Sequence, residues 1–205
     1  MGLLVAAAVL GWKRGPDIFP RVQGWFSEET GTLEVLPSPE LADAALDRFE
    51  RFRRGEGGDQ LSLSAVEVVS VIRYAAPGLV PSGVADPDVE FRDGRVTLTA
   101  RMAVAAFPGL PTLDGVLEFV PDTVSMSVQG TLAPLNEDRV ALIVHGVHAS
   151  FVPVPLPDGM IPSILTALGR RPREGLPDDG LVFPLPDGVE SAHVVRDRLI
   201  LVREG

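Results

Sequence analysis

The sequence predicts an α+β fold in which a strongly curved antiparallel sheet wraps one long and one short amphipathic helix. Three observations predict it. Capped amphipathic helices occupy the first third of the chain, the apolar period changes from helical to two near Val84, and Asp-Gly recurs at 93, 114, 158, 179 and 187 as turn chemistry for a sheet-rich remainder. With 205 residues, 45% of them hydrophobic, the chain can bury a core without metals or disulfides. Lys plus Arg number 18 against 28 Asp plus Glu, and the resulting net charge of −10 has the wrong sign for a nucleic-acid backbone binder. The absence of Cys excludes thiol catalysis and Cys-ligated zinc.

Residues 2–12 form an uncharged apolar run. As a helix it would reach about 16 Å, half of a ~30 Å hydrocarbon core, so it cannot span a bilayer alone. It has the length of a signal-peptide core, but no basic residue precedes it and no small-x-small site follows. A shortened anchor or signal remnant, an interfacial segment and a buried N-terminal element all fit. The expected organisation is an apolar segment over 1–16, a helical extension over 17–58, and an α+β domain over 59–205.

Ser38 is an N-cap before Pro39 at the first helical position, with Glu40 and Asp43 in the first turn and Arg51, Arg53 and Arg54 in the last. The expected apolar stripe is Leu41, Ala44, Ala45, Phe49 and Phe52, and Gly55-Glu-Gly-Gly58 ends the helix. Ser64 with Glu67 three residues on is a capping box, which opens a helix over about 65–76 whose face is Ala65, Val68, Val69, Ile72 and Ala76.

Val89 and Phe91 alternate with polar residues, Asp93-Gly94 is a hairpin turn, and Val96, Leu98, Ala100, Met102 and Val104 continue the alternation. Further strands are expected over 115–120, 124–132 and 139–151. In the last of these, Val140, Leu142 and Val144 fall on one face and Ala141, Ile143 and Val147 on the other, so both faces require cover. Pro153, Pro155 and Pro157 break the strand before a short helix over 160–168, and 181–185 and 189–202 read as strands turning at Asp197-Arg198.

No catalytic motif is present. His145 and His148, three apart in a strand, should point to opposite faces and so not share a metal ion. There is no Gly-x-Ser-x-Gly elbow and no Gly-rich phosphate loop opening a helix. The distinctive feature is charge poverty: between Met102 and Gly169 the only basic side chain apart from the histidines is Arg139. That pattern suits a deep core or the wall of an apolar cavity.

The order of the capped Leu63-Ser-Ala-Val-Glu-Val-Val-Ser-Val-Ile-Arg73, the hairpin Val89-Glu-Phe-Arg-Asp-Gly-Arg-Val-Thr-Leu98, the Pro-bounded helix Ile161-Pro-Ser-Ile-Leu-Thr-Ala-Leu168 and the closing Leu199-Ile-Leu-Val202 resembles the tubular lipid-binding superfamily. The resemblance is to its small bacterial members, which are relatives of bactericidal/permeability-increasing protein, and it spans residues 60–203. It implies a curved sheet around a helix with an apolar tube for acyl chains, and tethering at the outer face of a membrane.

Independently, each buried methylene contributes roughly 0.8 kcal/mol, so a sixteen-carbon chain needs on the order of 12 kcal/mol of apolar contact to leave a bilayer without loss. Val68, Val69, Ile72, Met102, Val104, Met126, Val128, Ile161, Ile164 and Leu165 are the expected wall, although each also suits an ordinary core. Arg170, Arg171 and Arg173 are head-group candidates or plain surface residues beyond a helix end. The expected function is non-enzymatic binding or transfer of a lipid or other long apolar ligand at a membrane surface, outside the cytoplasm and without metal or cofactor. An assembly module of a membrane complex would instead expose a flat apolar patch. A lipid hydrolase would require Ser and His within hydrogen-bond reach.

Overall fold

The computed structural model describes residues 35–76, 78, 80–106, 122–150, 158–167, 170–173 and 175–205. The apolar segment 1–16, residues 17–34 of the N-terminal extension, the strand near 115–120 and the prolines at 153, 155 and 157 lie outside the described residues. The fold is α+β, with antiparallel strands in two sheets where one continuous wrapped sheet was expected. Helix α1 (Pro39–Arg53) leads into strand β1 (Gln60–Ser64), and β1 runs directly into helix α2 (Ala65–Ser70), which is prolonged by a π-helical turn (Val71–Ala75). The central strands are β2 (Val84–Arg92), β3 (Arg95–Ala103), β4 (Thr123–Asn136) and β5 (Arg139–Ala149). Helix α3 (Ile161–Ala167) precedes β6 (Gly180–Pro184), β7 (Val189–Val195) and β8 (Arg198–Arg203).

Strands β2 to β6 form a five-stranded sheet in sequence order. The smaller sheet runs β1-β8-β7, with Leu61 opposite Leu201 and Leu63 opposite Leu199. The alternation Leu61-Ser-Leu-Ser64 was therefore a strand signal. Its partner lies at the other end of the chain, so local pattern could not pair it. The hairpin turns connect the sheets: Asp93 and Gly94 both have positive φ, Arg196 has φ 57°, and the Gly94 amide donates to the Arg196 carbonyl at 3.2 Å. The β7–β8 turn thus sits at Arg196-Asp197, one residue before the expected position.

Helix α1 begins as its sequence dictates, with the Ser38 hydroxyl accepting from the Leu41 amide. Its buried face is Ala42, Ala45, Phe49 and Phe52, so Ala42 replaces the expected Ala44, which is exposed. Helix α2 buries two faces. Val69 and Ile72 join the main core with Phe49, Phe52 and residues of both sheets, while Val71 packs with Ala42 and Ala45 under α1. Ser70 is the one fully buried polar side chain among the described residues. Its hydroxyl accepts from the Ser38 amide and donates to the Val66 carbonyl, joining the two helices.

Strand β5 corrects the face assignment. Gln129 pairs with Gly146 and Gly130 with Val144, which leaves His145 as an extra residue in a β-bulge. The bulge shifts the alternation, so Val147 and Ala149 join Val140, Leu142 and Val144 in the same core. The opposite face at this end is covered too: Ala141 is buried, and Leu176 lies over Gly180, where an added Cβ would stand 2.5 Å from Leu176 Cδ1.

Candidate functional site

Every expected wall residue comes into one apolar layer. Val69, Ile72, Met102, Met126, Val128, Ile161, Ile164 and Leu165 are buried in a single cluster, and Val68 and Val104 pack against it half-buried. Period-two alternation supplies the strand members, since Val124, Met126 and Val128 face in while Ser125 and Ser127 face out. Helix α2 contributes Val68, Val69 and Ile72, and α3 contributes Ile161, Ile164 and Leu165. Within the layer the two methionines are the most adaptable side chains.

The position of α2 is set by a polar network on its N-terminal turn. The Ser64 amide and hydroxyl both donate to Glu67 Oε2, at 2.8 and 2.7 Å, and Arg48 of α1 donates to Glu67 Oε1 at 2.7 Å. Arg198 of β8 stands 3.9 Å from the same carboxylate and donates to the Ser62 hydroxyl at 2.6 Å. Burial pushes the Glu67 pKa up, but the Ser64 hydrogen bonds and the Arg48 and Arg198 charges outweigh it and hold the carboxyl below its ordinary value. A depressed carboxyl stabilises the fold above the usual carboxylate range and loses that contribution as pH falls through the folded-state pKa. Glu67→Gln is therefore expected to lower stability by about 1–2 kcal/mol at neutral pH, with the difference closing at an acid pH below the usual carboxylate range. Urea midpoints at the two pH values measure it.

The arginines beyond α3 separate. The Arg170 side chain is 5% exposed, and its guanidinium donates to the Gly180 and Pro177 carbonyls at 3.2 and 3.1 Å and meets Asp178 at 3.1 Å. It fixes the 177–180 turn. Arg171 and Arg173 are exposed. Arg173 and Gly175 line a half-open cleft of about 380 Å³ with Leu135, Asn136 and Arg139 at the β4–β5 hairpin. Sequence reasoning missed Asn136 and Arg139, because only the fold brings that hairpin beside the segment following α3.

The histidines also move from their expected places. Thr131 Oγ1 and His145 Nε2 lie 3.0 Å apart, and His148 stands opposite Ser127, so the bulge puts both imidazoles on the outer face of the sheet. Opposite faces therefore no longer separate them. Among the described residues, however, no group of three or more His, Asp or Glu could hold a metal ion, and no histidine bonds to a serine or a carboxylate. None of the described helices is long and apolar enough to cross a membrane. No protein-family model, no curated protein and no solved structure matches the chain.

Proposed function

We propose that the protein is a non-enzymatic binder of a lipid or other long apolar ligand, held between α2 and the five-stranded sheet. In this reading it is a small member of the tubular lipid-binding superfamily that works at a membrane surface outside the cytoplasm, and its larger sheet curves around α2. One observation carries the reading: among the described residues, apolar side chains of β3, β4, β5, α2 and α3 lie in or against one buried apolar cluster. An acyl chain needs such a layer along its whole length, because each methylene left in water forfeits roughly 0.8 kcal/mol. Met102 and Met126 in that layer can repack around a chain or around its absence.

Displacement of a fluorescent fatty acid tests the reading, with Met126→Trp as the decisive variant. If the layer opens for a chain, the indole occupies that space, probe affinity falls at least about tenfold and Tm changes little. If the layer is solid core, wild type fails to bind the probe and the indole overpacks, lowering stability by about 1–3 kcal/mol.

Assembly within a membrane complex is the second reading, and one feature favours it. Val35, Leu36 and Tyr74 are exposed, and Tyr74 Oη reaches the Pro37 carbonyl at 3.4 Å, so the three gather at the start of α1.

A further inference from the structure

The cleft at the β4–β5 hairpin is lined by two arginines on a chain whose net charge is −10, with Glu137 and Asp138 exposed in the adjoining turn. Among the described residues that line it, two are arginines and one is an asparagine, while Glu174, between Arg173 and Gly175, lies outside the described residues. Arg139 comes from the first residue of β5, and Arg173 from the segment that Arg170 anchors through the 177–180 turn. Among the described residues, Arg139 forms an ion pair with Asp138. That pair is long, at 3.5 Å, and the aspartate side chain is 68% exposed, so an incoming anion can displace it. Guanidinium groups donate in a planar fork that matches the oxygens of a phosphate, and the Asn136 amide adds a neutral donor. Leu135 supplies an apolar rim, and Val140, the residue after Arg139, is buried in the apolar layer.

We infer that Arg139, Arg173 and Asn136 form a binding site for a phosphate group at the end of the sheet. The inference rests on the lipid reading insofar as the phosphate is that of a phospholipid head group whose chain enters the apolar layer; the same donors accept free phosphate.

The full-length protein is titrated with inorganic phosphate and with glycerol 3-phosphate while the amide signals of residues 136, 139, 173 and 175 and the arginine side-chain signals are followed by NMR. Flotation with phosphatidylcholine vesicles, with and without phosphatidylglycerol, is measured on the same samples. The expected result is shifts confined to the cleft, about tenfold weaker binding in each of Arg139→Gln and Arg173→Gln, and loss of the phosphatidylglycerol-dependent flotation when both are replaced. Asn136→Asp, which places a negative charge in the cleft without removing an arginine, should abolish the shifts. Shifts that are absent, or that persist unchanged in the double variant, overturn the site. A silent cleft in protein that still binds the fatty-acid probe overturns this inference alone and leaves the lipid reading standing. A response to both phosphates without probe binding or vesicle flotation supports the site with free phosphate as its ligand and overturns the lipid source.

Discussion

Gly130→Ala is expected to lower stability by about 3 kcal/mol, which for a chain of this size is a fall in Tm of roughly 10 °C. Gly130 sits on the core side of β4, opposite Val144 and beside the bulge at His145. There β5 comes so close that a methyl group would collide with the Ile143 carbonyl oxygen and stand 2.9 Å from Leu142 Cδ1. The first obstacle is backbone, so rotamer changes cannot relieve it. Either the bulge opens or the strands separate, and both disturb the core packing of Leu142 and Val147. Gly146→Ala is the matched control, because nothing lies within 4 Å of a Cβ at Gly146. It should remain within about 0.5 kcal/mol of wild type. Urea titration of the two variants measures both effects, and equal losses would contradict the role assigned to the bulge.

Leu165→Ala is the second large effect, a loss of about 3 kcal/mol. Leu165 is fully buried in a helix of only seven residues, and α3 holds to the rest of the fold through Ile161, Ile164 and Leu165. Removing the isobutyl group both forfeits burial and leaves a void that a short helix bound on one side refills poorly. The neighbouring Thr166 is exposed and donates to the Pro162 carbonyl at 2.8 Å. Thr166→Ala should change stability by less than about 0.5 kcal/mol. Thermal denaturation of the pair distinguishes core packing at α3 from a general weakness of the segment.

Much of this architecture was legible because local chemistry dictated it. Ser38 and the Ser64 with Glu67 capping box placed both N-terminal helix starts, and the alternation through Val96 and Met102 and through Val124 and Val128 identified the core faces of β3 and β4. What could not be read depended on distant pairing or on an inserted residue. Leu61 and Leu63 alternate, but their partners Leu201 and Leu199 lie near the other end of the chain. Periodicity assumes a regular strand, so it placed Val147 and the two histidines wrongly once His145 bulged out of register. The site divides in the same way. Charge poverty and period pointed to the ten apolar residues that the fold gathers, whereas Arg139 and Asn136 gained a relation to Arg173 only when a hairpin met the segment after α3. The sequence pattern likewise treated the three arginines there as equivalent, and only tertiary contacts turned Arg170 inward to hold a turn.

A protein whose apolar layer accommodates a long chain should leave the cell with one bound. Native mass spectrometry of the full-length protein, purified from cells without detergent, tests it most directly. One or more discrete adducts are expected in the mass range of cellular lipids, displaced by added fatty acid and strongly reduced in Met126→Trp. A single unliganded mass from wild-type protein, unchanged after incubation with lipid vesicles, would contradict it.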